Sequence, residues 1–138
     1  TPGAIGYVEL AYAKQNNFSV EHLKNAAGNF IEPSLASTTA AANGAAAALA
    51  KDVRTPIVNS PDPNAYPIAG LTFLLVYKEQ RDTAKGRALP DFITWSMSEG
   101  QDVAEGLDYA RLPESVVKVN QANLFSLTAA GKPLVARK

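Results

Sequence analysis

The sequence contains no cysteine, a single histidine, one tryptophan and one methionine. The missing thiols exclude a disulfide frame, a thiolate zinc site, an iron–sulfur cluster and a cysteine nucleophile. They leave the cellular compartment open. Lys+Arg and Asp+Glu both total 13, so the formal charge is zero and there is no net basic field to gather nucleic-acid phosphates or anionic lipid. No nucleic-acid partner is expected. The longest apolar stretch, residues 67–77, falls far short of the roughly 20 residues that a membrane-spanning helix requires. What remains is ordinary: 138 residues, 46% hydrophobic and 19% charged, enough for one domain or a large piece of one.

The first residues are neither an initiator Met nor a charged and then apolar leader. Thr1-Pro2-Gly3 is turn chemistry that runs directly into the apolar stretch Ala4-Ile5-Gly6-Tyr7-Val8. The expectation is a chain that starts inside a domain, whether as a processed protein, an excised domain or an artificial fragment.

Residues 4–8 read as a short buried strand, and Leu10, Ala11 and Ala13 with the polar Lys14-Gln15-Asn16-Asn17 as a short helix. Residues 18–25 alternate apolar and polar, and Ala27-Gly28-Asn29 turns them back into Phe30-Ile31, a hairpin-like pair. Ser34 is a suitable cap for the alanine-rich run to Ala50, which Asn43-Gly44 divides into two helical pieces. Residues 51–67 hold Pro56, Pro61, Pro63 and Pro67, a density of breakers that predicts a loop or crossing segment. Residues 68–77 form a continuous apolar run suited to a central strand covered on both faces. Asp82 or Thr83 caps a helix carrying Leu89, Phe92, Ile93, Ser96 and Met97, with Pro90 either kinking it or lying in its first turn, and Gly100 ending it. A short helix or turn at Val103, Leu107 and Tyr109 follows, then a last helix from Pro113-Glu114 presenting Val116, Val117, Val119, Asn120 and Leu124 on one side. Residues 129–138 read as a mobile tail. Strands mixed with helices imply an α/β chain, with the composition break at residues 51–67 separating two lobes.

No constellation of catalytic or metal-ligating residues emerges. His22 sits opposite the apolar positions of its strand pattern, with no acid or Ser placed to form a triad, and reads as surface. Glu99, Asp102, Glu105 and Asp108 are spaced like one helical face but lack the order of a calcium loop, and read as solvated. Tyr7, Tyr12, Tyr66, Phe73, Trp95 and Tyr109 are scattered through apolar runs and read as core. Gly3 and Gly6, or Gly100 and Gly106, make no phosphate-cradling loop. Ser34, Thr38 and Thr39 lie among alanines without a glycine-rich turn, and Arg54, Arg81, Arg87 and Arg111 read as solvated. No catalytic residue, metal ligand or cofactor is assigned.

Several blocks do carry a resemblance. They are residues 1–9 with Ala11-Tyr12-Ala13-Lys14-Gln15-Asn16-Asn17, Tyr66-Pro67-Ile68 through Lys78, Phe92-Ile93-Thr94-Trp95 with Ser98-Glu99-Gly100, and residues 107–117. In order and spacing they resemble the C-terminal portion of the phosphate-specific periplasmic binding proteins that serve ABC importers. Residues 18–63 follow no pattern of that family. The resemblance implies part of a two-lobe α/β fold that closes around inorganic phosphate and presents it to the permease membrane subunits, in the periplasm or at the cell surface, catalysing no reaction. By the same similarity, residues 1–65 would be the tail of the second lobe and 66–138 the crossing and return into the first. Tyr66, Pro67 and Ile68 would form the hinge.

Phosphate held without metal needs converging N–H groups, hydroxyls and a bidentate Arg. In the family these come from Gly/Thr/Ser-rich turns and an Arg-x-x-x-Ser-Gly-Thr type segment, all upstream of the position matching Thr1. No ligand-binding residue is therefore carried over, and tight phosphate binding by this chain alone is not expected. Uncovered sheet edges would invite a complementary chain or self-association. A receptor for another oxyanion such as sulfate or molybdate, or a phosphate-ester hydrolase on a similar scaffold, are the alternatives.

Overall fold

The computed structural model describes residues 3–136. Thr1 and Pro2 of the expected first turn, and Arg137 and Lys138 of the expected tail, lie outside the described residues; Gly3 has the positive φ of +79° that a turn there demands.

The fold is α/β. Helix α1 spans Leu10–Gln15 and is closed by Asn16, whose side-chain Nδ2 donates to the Tyr12 carbonyl at 2.9 Å. Strands β1 (Leu23–Lys24) and β2 (Phe30–Ile31) pair antiparallel, Leu23 opposite Ile31, around a turn that uses Gly28 at φ +89°. The hairpin is as expected, though its strands are only two residues long. The alanine run forms α2 (Leu35–Gly44) and α3 (Ala46–Leu49), broken at Ala45 next to the anticipated Asn43-Gly44. Ser34 caps α2 in a reciprocal box: its Oγ accepts from the Ser37 N–H at 3.1 Å while Ser37 Oγ accepts from the Ser34 N–H at 2.9 Å.

Strand β3 (Glu79–Gln80) pairs parallel with β4 (Thr128–Ala129), and β4 pairs antiparallel with β5 (Lys132–Pro133), giving a mixed sheet. The segment anticipated as a mobile tail is thus a tight hairpin whose two central residues, Ala130 and Gly131, both have positive φ. Buried Ala129 and the Glu79 carboxylate, which accepts from the Gly131 N–H at 3.1 Å, tie it to the sheet. Alternation was too short there to register as a strand.

Helix α4 runs from Thr83 to Ser96, with Asp82 capping the N–H groups of Ala84 and Lys85. Pro90 lies in its interior, four residues after Gly86. Gly86 lets β3 lie against the helix, since a Cβ there would come within 2.8 Å of the Gln80 Cβ. Gly100 does not end α4; that helix stops at Ser96, and Gly100 opens α5 (Gly100–Gly106), where an added Cβ would lie 3.0–3.3 Å from the Trp95 carbonyl and ring. Helix α6 spans Glu114–Leu124 behind Pro113, as predicted, with a Lys118–Glu114 ion pair of 2.7 Å on its outer face.

Two clusters form the interior. In the first, Ala41 and Ala42 of α2 and Ala45 just after it bring that helix close to Val116 of α6, around the fully buried Leu49 and Ile57. In the second, Ile93 of α4 and Met97, which caps its end, meet Leu124 and Leu127, with Val76, Leu89 and Leu134 at its margin. Leu112 touches both.

Two further expectations fail. Residues 4–8 and 68–77 do not form buried strands: neither is in a ladder, and none of their backbone groups up to Val76 has a hydrogen-bond partner among the described residues. A ladder needs a neighbouring strand, and among the described residues no strand pairs with either run. For the same reason Tyr7, Tyr12, Phe73, Trp95 and Tyr109, read as core residues, are exposed, and only Tyr66 of that set is half-buried.

Candidate functional site

The expected hinge residues meet the rest of the chain through the proline-rich loop. The Tyr66 N–H donates to the Ser37 carbonyl at 3.1 Å, and the Pro67 carbonyl accepts from the Asn59 N–H at 2.8 Å. Burial, with the Glu21 charge second, pushes the Tyr66 phenol above its ordinary value, which favours the neutral hydroxyl. Pro67 and Ala69 are buried on either side of the exposed Ile68, so this stretch lies along the first core cluster.

Asn25 fixes the loop from the other side. Its Nδ2 donates to the carbonyls of Pro63 at 2.9 Å and Ala65 at 3.1 Å, and its Oδ1 accepts from the N–H groups of Ala27 and Asn29. Sequence reasoning missed this residue. Asn before a glycine turn signals an Asx turn, but its distant partners are written nowhere near it.

The hydroxyls at the start of α2 are committed within the chain. Ser37 Oγ donates to the Glu32 carbonyl at 2.9 Å, Thr38 Oγ1 to the Ser34 carbonyl at 2.8 Å, and Thr39 Oγ1 to the Arg111 carbonyl at 2.9 Å. They cap and clamp. The arginines are likewise paired or solvated: Arg54 binds Asp52 through two hydrogen bonds, Arg111 bridges Asp102 and Glu105, and Arg81 and Arg87 are exposed.

The acidic face around α5 is neutralised from both sides, since Asp108, two residues past the helix, forms an ion pair with Lys14 of α1 while Arg111 takes Asp102 and Glu105. Glu99 sits below the usual carboxylate range because the Ser98 hydroxyl donates to it. His22 is exposed, 3.9 Å from Glu32. Among the described residues, no three His, Cys, Asp or Glu side chains converge as a metal site.

A groove of about 360 Å³ lies between the unpaired run and helices α4 and α6, lined among others by Leu71, Phe73, Leu74, Ile93, Val116 and Leu124. Thr72, Ser96, Asn120, Asn123 and Ser126 supply its polar groups, and no charged residue lines it. An anion moved there would lose its hydration with no cation to replace it. Apolar side chains fit the lining; an oxyanion does not. The hydroxyls of Ser60 and Ser115, buried without a hydrogen-bond partner among the described residues, lie outside this lining.

No family model matches the chain. Among curated proteins it is similar to phosphate-binding proteins named PstS. It is 44% identical to that of Xylella fastidiosa strain 9a5c over 120 residues, which is 87% of this chain and 33% of the relative. The Pasteurella multocida protein is 37% identical over 119 residues, or 86% of this chain and 35% of the relative. The Methanocaldococcus jannaschii protein is 33% identical, covering 91% of this chain and 36% of its own length. The chain thus spans about a third of the length of the curated relatives it matches, consistent with the expected C-terminal portion.

Proposed function

We propose that this chain is the C-terminal portion of a receptor for inorganic phosphate, working as the PstS phosphate-binding proteins do and delivering the ion to the membrane subunits of an ABC importer. The carrying observation is the similarity over 87% of the chain to a protein that binds phosphate. The role is binding and not catalysis. In this reading residues 1–65 belong to the second lobe, 66–138 to the crossing and first lobe, and Tyr66, Pro67 and Ile68 to the hinge. Closure of the lobes on the anion makes the state that the permease recognises.

Two features of the chain support a division of labour. Its α2 hydroxyls and its Arg54 and Arg111 are already engaged, and its groove is apolar. The converging donors for phosphate then belong to the rest of the receptor, with a complementary segment completing the site. Among the described residues no helix is long and apolar enough to cross a membrane. A periplasmic or cell-surface location accords with that and with the role of the relatives. Nothing favours a sulfate or molybdate receptor or a phosphate-ester hydrolase.

The test is a chimera in which this chain replaces the matching third of the Xylella fastidiosa protein. Saturable phosphate binding that sulfate and molybdate do not displace is the expected result. A folded chimera blind to phosphate, or one that hydrolyses a phosphate ester, would refute the reading.

A further inference from the structure

We infer that Lys14 and Asp108 form a latch between the two lobes of the receptor, an ion pair that closes when the lobes close and lengthens the time the anion is held. The inference rests on the functional reading above, in which Lys14 falls in the second lobe and Asp108 in the first.

The pair is the sole polar tie at its place in the fold. Lys14 Nζ on α1 donates to Asp108 Oδ1, ninety-four residues further on. Among the described residues, every other hydrogen bond, ion pair and ring contact of residues 9–18 stays within that stretch. The partners are also matched one to one. Arg111 is taken by Asp102 and Glu105, which leaves Asp108 to Lys14.

The backbone at Asp108 argues that its carboxylate, and not the turn, selects the residue. Helix α5 ends with the Tyr109 N–H donating to the Ala104 carbonyl at 2.9 Å and the Asp108 N–H to the Glu105 carbonyl at 3.1 Å. Between them Asp108 has a φ of +63°. This is the helix-ending motif whose left-handed position glycine fills most often, because it has no Cβ to crowd the carbonyl. Aspartate holds that conformation at some cost. The one polar bond its side chain makes is to Lys14, so that bond is what the carboxylate contributes.

The exposure of the pair suits a contact that opens. The Lys14 side chain is 49% exposed and that of Asp108 27%, so water rehydrates both ions when they part. Such a pair adds a small and reversible preference for the closed state, worth about two- to fivefold in the lifetime of the bound anion. A buried pair would cost far more to separate at each release.

The experiment uses the chimera in which this chain replaces the matching third of the Xylella fastidiosa receptor, with phosphate association and release followed by stopped flow. Lys14→Gln and Asp108→Asn should each speed release about two- to fivefold with association nearly unchanged, and the double variant should be no faster than either alone. Lys14→Arg should keep the parent rate. Added salt should speed release from the parent more than from Asp108→Asn, because screening acts on the pair. Asp108→Gly separates latch from fold: glycine suits the positive φ, so the melting temperature holds or rises while release is still faster.

Three results would overturn the proposal. One is release at the parent rate in every variant. Another is opposite effects of Lys14→Gln and Asp108→Asn on association, which would mean that the two charges steer the anion and do not join the lobes. The third is loss of binding in Lys14→Gln alone, which would make Lys14 a phosphate contact. A parent chimera blind to phosphate fails the functional reading and takes the latch with it. A parent that binds, with variants indistinguishable from it, fails the latch alone.

Discussion

The side-chain amide of Asn25 donates to the carbonyl of Ala65, forty residues further on, at 3.1 Å. Together with the bonds to Pro63, Ala27 and Asn29, it satisfies the whole hydrogen-bonding capacity of a side chain that is buried. Asn25→Ala would orphan groups on both the hairpin turn and the proline loop. We expect a loss of about 2–3 kcal/mol in urea unfolding, against under about 1 kcal/mol for Asn29→Ala, whose bond to Pro63 is exposed.

Gly44 is where α2 meets the same loop. An added Cβ would lie 2.9 Å from the Asp62 backbone nitrogen and 2.8 Å from its Cβ, and the backbone cannot swing aside as a long side chain would. Gly44→Ala should cost about 1–3 kcal/mol. Gly106→Ala, in α5 with open space around it and no positive φ, should be neutral or stabilising by up to about 1 kcal/mol. Thermal melts of the two variants decide it.

Ala130 holds a φ of 49° beside Gly131 at 71° in the β4–β5 turn. Alanine accommodates that region poorly and asparagine well, so Ala130→Asn, making an Asn-Gly turn, should stabilise the chain by about 0.5–1 kcal/mol in the same melts.

These devices also show what can be read from residues in order. Capping at Ser34, the hairpin around Gly28, the division of the alanine run and the start of α6 after Pro113 were legible, because each depends on neighbours within a few positions. The runs at 4–8 and 68–77 were legible as apolar but misplaced as buried. Burial is decided by what lies opposite, and among the described residues nothing covers Ile5, Tyr7, Leu75 or Tyr77. Tyr7, Phe73 and Trp95 misled for the same reason. In the candidate site, the bonds of Asn25 and the Lys14–Asp108 pair join residues far apart in sequence, and no spacing rule reports them.

Asp52 provides a pH signature. The Arg54 guanidinium, through bonds of 2.7 and 2.9 Å, and then the Arg54 N–H hold its carboxyl at about 2, below the ordinary 3.8. A lowered folded value favours the native state above the ordinary value, and that contribution is lost as pH falls from about 3.8 through about 2. The carboxylate is exposed, so the effect on stability is small. The titration itself is the readout: in carboxyl NMR, Arg54→Ala should return the Asp52 midpoint toward the ordinary aspartate range.

The division of labour between this chain and the rest of a phosphate receptor is tested most directly by calorimetric titration of the chain alone with inorganic phosphate, followed by the same titration after the complementary portion is added. The account predicts no saturable heat in the first titration and saturable, one-to-one binding in the second. Tight stoichiometric binding by the chain alone would contradict it, because the donors would then have to lie among these 138 residues.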